Sequence, residues 1–253
     1  MTLPPFPSRR RRITQPELMD DPRSDRSRLF ATLRQFRLTN RLFSRYRMLL
    51  TRHVLRDMER LSRKGRSDRP FTMLEIGAGG CDVAIWLARI CRKRGIPLRI
   101  TCIDNDIRVA SFARRRIRES SVSDRIDFLQ RSAFDVERLP DHDYVISWNT
   151  LHHFTDDQAR GLLQAMREKA TRRFVASDLE RSPVGWIAFL AFSIIFLHGS
   201  FARWDGLLSI SRAFSRAGLY ALAVHAVNGH PPRMRRLFPA RLCIVGVGAA
   251  TGT

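Results

Sequence analysis

The stretch Phe71-Thr-Met-Leu-Glu-Ile-Gly-Ala-Gly-Gly-Cys-Asp82 constrains this chain more than any other. An apolar run, Met73, Leu74 and Ile76, leads straight into a glycine cluster, and a helix-like segment from Val83 to Arg94 follows at once. That order predicts a buried strand, a tight turn and a helix N-terminus. Glycines at such a turn let a ligand lie against bare backbone, because no Cβ holds it off. The helix that follows offers the ligand unpaired N–H groups. Glu75, on the strand just before the turn, discriminates between ligands. A carboxylate there repels a pyrophosphate, yet suits a ligand carrying a cationic amino group and ribose hydroxyls. A dinucleotide turn also wants Gly-x-Gly-x-x-Gly, and its last position here is Asp82.

Downstream, strand-like and helix-like runs alternate. Strands are expected at 72–76, Arg99–Ile103, Ile126–Gln130, Tyr144–Ser147 and Arg173–Ser177, and helices at 82–94, 106–119 and Asp156–Ala170. Such alternation predicts an α/β fold, a parallel sheet with helices on both faces. The last two strand candidates, Tyr220–Ala226 and Arg241–Val247, have no helix between them, so they are expected to pair as a hairpin with one antiparallel strand in the sheet. Upstream, Leu29, Leu33, Phe36, Asn40 and Phe43 recur at helical spacing. They predict two N-terminal helices within 28–63, and 62–70 reads as a linker. The chain therefore divides into a basic, disordered tail (1–27), a helical cap with its linker (28–70) and a core domain (71–253).

The formal charge of +21 invites a nucleic-acid reading. Its source argues otherwise, since all but three of the 45 basic residues are arginine, which also fits a coding bias. The excess is densest ahead of the glycine turn: residues 1–72 hold 19 basic and 7 acidic residues, net +12. No arginine-and-aromatic signature of an RNA module accompanies it. A solvated segment, or one facing an anionic surface, is the better expectation. Cys81, Cys91, Cys102 and Cys243 are scattered, without Cys-x-x-Cys and without histidines at zinc-ligand spacing. Reduced thiols in a cytoplasmic protein, and no metal site, are expected. Arg9 to Arg12 precede no apolar core, so the N-terminus does not read as a secretory signal.

Glu75-x-Gly77-x-Gly79-Gly80 resembles motif I of the class I S-adenosylmethionine-dependent methyltransferases, with Cys81 where the commonest pattern has a third glycine. The resemblance implies a Rossmann-like sheet of seven strands, order 3-2-1-4-5-7-6, mostly parallel with the last strand antiparallel. It implies N-terminal helices over the site and a substrate-recognising helical insertion (180–218) after strand five. The cofactor implied is S-adenosyl-L-methionine. Glu75 would lie near its amino group, and Gly77, Ala78 and Gly79 would pass under the nucleoside, with Asp82 at the start of the next helix. Cys81, a compact thiol, is expected beside the nucleoside.

Ligands in open α/β sheets bind beyond the carboxyl ends of the strands. Asp104, ending strand two, would accept the ribose hydroxyls, with Asn105 beside it. Ser132 stands where the family commonly has an acid near adenine, flanked by Ala133 and Phe134. The run Trp148-Asn-Thr-Leu-His-His-Phe154 resembles the Leu-His-His-Phe signature of many small-molecule methyltransferases, which puts Trp148 and Asn149 against the cofactor. His152 is expected to take a proton from a phenol or hydroxyl, since its pKa lies near neutral. Asp178, ending strand five, would hold its tautomer, and His153 is expected to be structural. Trp186 to Leu197 is apolar all round but short of the ~20 residues of a bilayer span. Such a helix packs in the core, lines an apolar pocket or rests on a membrane. These residues imply methylation of an oxygen on an apolar acceptor, phenolic, polyketide-like or acyl, with quinone or lipid C-methylation as the alternative. Peripheral membrane contact through the basic N-terminal segment and 186–197 accompanies that reading. Asp205 and Arg212 are left to pair, close the pocket or orient a polar head.

Overall fold

A computed structural model describes residues 3–8, 10–65, 69–226 and 232–249. Seven strands form one sheet in the order β3-β2-β1-β4-β5-β7-β6. They are β1 (Phe71–Ile76), β2 (Leu98–Asp104), β3 (Ile126–Gln130), β4 (His142–Trp148), β5 (Ala170–Leu179), β6 (Arg233–Leu237) and β7 (Arg241–Val247). The first five run parallel, and β7 pairs antiparallel with both β5 and β6. This is the architecture the motif implied.

Side chains alternate across β1, as a strand requires. Met73 packs on one face with α4 (Asp82–Lys93), while Leu74 and Ile76 pack on the other with α6 (Asp156–Lys169). Glu75 shares the face of Met73, which sends a carboxylate into the gap at the start of α4. The α4 face also carries α2 (Tyr46–Leu50) and α3 (Arg56–Arg63), which flank a π-helical turn at Thr51–Leu55. Two further helices, α7 (Pro183–Phe196) and α8 (Ala202–Arg212), join α1 (Arg26–Phe43) over the carboxyl end of the sheet. The helix α5 (Ile107–Arg118) connects β2 to β3, and α1 meets it through Leu29, Leu33, Val109 and Phe112.

Three expectations need correction. Tyr220–Ala226 is not a strand but the end of α9 (Arg216–Ala226). Leu219, Ala223 and Ala226 bury one helical face beside α6, and the alanines favour helix over the apparent alternation. The hairpin strand is instead β6, whose Arg-Met-Arg-Arg-Leu sequence suits an exposed sheet edge kept soluble by charge. Secondly, the N-terminal tail is not a loose arm: its described residues lie across the end of the sheet, with a 3₁₀ turn at Leu18–Asp20 and Glu17 only 3% exposed. Thirdly, Cys81 is not beside the ligand turn. It is fully buried behind it, in the left-handed conformation at φ 57°, packed with the core of the α4 face. Residues 1, 2, 9, 66–68, 227–231 and 250–253, which include part of the tail and of the linker, lie outside the described residues.

Candidate active site

One cavity of about 1290 Å³ opens at the carboxyl ends of β1, β2, β4 and β5. That exceeds a typical small-molecule pocket and leaves room for a nucleoside and an acceptor together. Glu75, Gly77, Ala78, Gly79, Asp82, Asp104, Asn105, Ser132, Ala133, Phe134, Asn149 and His152 all line it. Asp178 stands behind His152, 1% exposed.

At the cofactor end the turn is shaped by need for positive φ. Gly77, at φ +67°, would drive a Cβ to 2.3 Å from Thr150 Oγ1. Gly79, at φ +50°, faces open space with nothing within 4 Å of a built Cβ. Its N–H donates to Asp104 Oδ2 at 2.9 Å, so the ribose-side acid is already aimed over the turn. Burial lifts the Asp104 carboxyl above its ordinary pKa. Glu75 Oε2 accepts the Ala84 N–H at 3.0 Å, and no ion pair to Glu75 forms among the described residues. Burial, followed by the charge of Asp82, pushes the Glu75 carboxyl up to about 8. A buried acid so perturbed marks a site for a positive ligand group. Asp82 is tied to Arg116 Nη1 at 2.5 Å. Ser132 differs from the expected adenine contact: its hydroxyl caps the 3₁₀ turn Ala133–Arg138 by accepting the Phe134 N–H at 3.2 Å. Phe134 packs edge-on against Phe154 at 5.1 Å between ring centroids. The open glycine cradle, an unpaired acid for an ammonium and a second acid for hydroxyls fit a sulfonium nucleoside that carries an amino group.

The acceptor end is built on His152. Its Nδ1 lies 2.7 Å from Asp178 Oδ1, while its backbone N–H donates to Oδ2 at 2.8 Å. The other ring nitrogen, Nε2, faces Glu17 Oε1 at 3.4 Å. Burial disfavours the imidazolium, but the two carboxylates outweigh it and raise the pKa of His152 to about 9. Burial likewise lifts Glu17, but His153 and His152 together hold it below the usual carboxylate range. Asp178 stays low because His152 and Arg241 outweigh its burial. His153 also lines the cavity, with Nδ1 3.3 Å from Asp20 Oδ2.

Glu17 was invisible in the sequence, an isolated acid in a proline- and arginine-rich stretch. The signal that pointed to it lay elsewhere, in two charged residues of α8. Asp205 and Arg212 do not pair with each other; both hold the N-terminal segment. Asp205 accepts the backbone N–H groups of Leu18 at 2.7 Å and Met19 at 3.1 Å. Arg212 approaches Asp20 at 3.5 Å and Glu17 at 3.8 Å. Arg12 adds a stitch, donating to Arg212 O and Phe154 O at 2.8 Å each with its guanidinium 3.6 Å over the Phe214 ring. Glu17, His152 and His153 also place one ligand atom each within 4.8 Å of one another, a grouping with the donor set of a divalent metal that the spacing in sequence did not show.

Residues 73–173 match the family described as a methyltransferase domain. That segment of the chain is a methyltransferase domain, whose cofactor is S-adenosylmethionine. No curated protein matches the sequence. Among solved structures, the methyltransferase is similar to a provisionally assigned O-methyltransferase from Nostoc punctiforme, with TM-score 0.51, 18% identity and coverage of 76% of this chain and 56% of that one. An O-methyltransferase family protein from Burkholderia thailandensis gives 0.53 and 15%, over 73% and 52%. A SAM dependent methyltransferase from Aquifex aeolicus gives 0.51 and 13%, over 76% and 89%. At such identities the likeness is one of fold. This chain spans little more than half the length of the first of these.

Proposed function

We propose that this protein transfers a methyl group from S-adenosylmethionine to an oxygen of an apolar small molecule. The observation that carries the reading is that one cavity joins the Glu75–Asp104 cradle to a buried His152–Asp178 pair under walls of Phe36, Phe43 and Phe189. The cofactor, when bound, supplies the electrophilic methyl. Glu75 holds its amino group, Asp104 its ribose, and the 77–79 turn its nucleoside. The remaining work falls to alignment, which can supply much of the rate. The acceptor hydroxyl takes the place of Glu17 at His152 Nε2, and the imidazole, freed from its second carboxylate, receives the hydroxyl proton. Asp178 keeps the Nδ1 proton in place and stabilises the resulting cation. Titration of S-adenosylhomocysteine into the protein by calorimetry, followed by a radiolabelled methyl assay on lipid extract against RNA, tests it. No heat of binding, or label passing only to RNA, would refute the reading.

The apolar acceptor has a matching surface. Val184, Ile187, Ile194, Ile195 and Phe196 of α7 are exposed, although the opposite side of the helix lines the cavity through Gly185, Ala188 and Phe189. Beside it, α1 carries exposed Leu38 and Leu42 next to a stripe of Arg34, Arg37 and Arg41, all exposed and spaced by three or four residues. Phe43 and Phe192 join the two helices at 4.9 Å. Among the described residues no helix is long and apolar enough to cross a membrane. An apolar face edged by arginine suits the surface of an anionic bilayer. Of the basic N-terminal run, Arg12 is committed inside the protein, so the α1 stripe supplies the charge. Sedimentation with phosphatidylglycerol vesicles, lost in Ile187→Glu/Ile195→Glu, is expected. A dimer dispersed by the same substitutions, without vesicle binding, would assign the face to self-association.

A further inference from the structure

Asp178 in β5 and Glu180 just beyond it are spent on other partners, and neither hydrogen-bonds the cation beside them, although the charge of Asp178 is felt there. Asp178 gives both oxygens to His152 and Oδ1 also to the Leu179 N–H. Glu180 Oε2 receives Arg236 Nε at 2.6 Å. Arg241 opens β7 opposite Leu179 and is 2% exposed. Its Nη2 donates to Asn149 Oδ1 at 2.6 Å. Its Nε has no partner, and no ion pair to it forms among the described residues. Removing a guanidinium from water without an anion is strongly unfavourable, and a lost partner is worse than a lost pair. Burial accordingly pushes the Arg241 pKa down to about 10. A second donor on the cavity wall is in the same condition: Trp148 Nε1 is buried and unpartnered. Two orphaned donors, on residues that line one cavity together with Asn149, Leu179 and Phe189, mark a place where a ligand oxygen belongs.

We propose that Arg241, with Trp148 Nε1, receives an oxyanion of the acceptor, which is therefore an amphipathic acid: an apolar body between α1 and α7, and an ionised carboxylate or acidic phenolate at β7. The inference rests on the methyl-transfer reading and narrows its substrate class. Arg241 is a specificity residue and leaves proton transfer to His152. A guanidinium receives two oxygens at once, so its contribution is directional as well as electrostatic.

The test uses a pair of probes with one apolar body, 4-octylbenzoate and the neutral 4-octylbenzamide, titrated into the full chain saturated with S-adenosylhomocysteine and followed by tryptophan fluorescence. The wild type is expected to bind the benzoate at least about tenfold more tightly than the amide. Arg241→Met is expected to bring the two within about twofold, Arg241→Lys to keep part of the preference, and both to bind S-adenosylhomocysteine as the wild type does. A wild type that does not prefer the benzoate, or does not bind it, overturns the proposal without help from any variant. An Arg241→Met protein that keeps the benzoate preference but loses nucleoside affinity tenfold also overturns it, because the partner is then the carboxylate of the cofactor. If the wild type binds no S-adenosylhomocysteine, the methyl-transfer reading has failed first, and that is seen before any probe is added.

Discussion

The two ends of the cavity are made in opposite ways. At the cofactor end Glu75 and Asp104 form no ion pair among the described residues: each meets backbone N–H groups, and both sit above their ordinary pKa through burial. At the acceptor end the charges around His152 are already answered by the chain itself, with His152 between Asp178 and Glu17, and Arg212 beside Glu17 and Asp20. An end that waits for a charge is preorganised for a ligand that brings one. An end that is internally neutralised admits a ligand only by exchange, and its own N-terminal segment is the piece that moves. The first should therefore be probed by removing a charge, and the second by removing a competitor.

The largest effect is expected at the cofactor end. Glu75→Gln keeps an oxygen for the Ala84 N–H but cannot ionise, so it should weaken S-adenosylhomocysteine by about 3 kcal/mol, on the order of a hundredfold, in calorimetry. The wild type should also show a pH dependence that the variant lacks. A bound ammonium favours ionised Glu75, whose pKa of about 8 without ligand means that ionising it costs less as pH rises. Affinity should then climb from pH 6 to 8, by up to about tenfold per unit, and flatten above. Next comes His152→Ala, which should lower kcat by roughly 10²–10⁴ while leaving nucleoside affinity within about twofold. If Glu75→Gln spares the nucleoside, or His152→Ala loses it, the contrast between the ends is wrong.

What could be read from the sequence follows the same division. The candidate cofactor residues fall at strand ends within short local runs, so Glu75, Gly77, Gly79, Asp104 and Asn149 could be singled out from the motifs, and the structure brings them to one cavity. Cys81 was misplaced because a left-handed residue at the helix start turns its side chain into the core, which spacing does not show. The acceptor end depends on contacts across most of the chain. Glu17 reaches Ser209 at 2.6 Å, and Arg241 reaches Asn149 from β7. No local period marks a side chain whose partner is 192 positions away. The charges of α8 were the one hint. Asp205 and Arg212 had to be answered by something, and the tail was that thing.

A smaller but sharper effect is expected from Glu17→Gln. A base acts in its neutral form, so the acidic limb of the kcat/KM profile, which reports the free enzyme with Glu17 still beside His152, should follow the His152 pKa. In the wild type two carboxylates raise that pKa to about 9, and removing one charge should move the limb toward neutral pH. The sign for stability agrees. A histidine raised from 6.5 stabilises the fold fully below that value and ceases to do so as pH rises through 9. Heat denaturation followed between pH 6 and 10 should thus lose midpoint less steeply in Glu17→Gln than in the wild type. A limb that does not move in the variant would mean that His152 is not the proton acceptor.

The smallest effect concerns the grip on the N-terminal segment. Asp205 accepts two backbone N–H groups from it while burial, then the charge of Glu17, pushes its own pKa up to about 8. A carboxyl raised in the folded state contributes stability that is fully present below its unfolded pKa and is lost as pH rises through 8. Local opening of the segment should accordingly become easier as pH rises toward 8 and level off above it, seen as faster amide exchange at Leu18 and Met19 once the intrinsic pH dependence is divided out. Asp205→Asn keeps one acceptor and no titrating proton, so its protection should be lower throughout but level across that range. Protection that falls equally in both proteins would show that the segment is released by the titration of His152 against Glu17, and would move the control point from the helix that holds the segment to the histidine it covers.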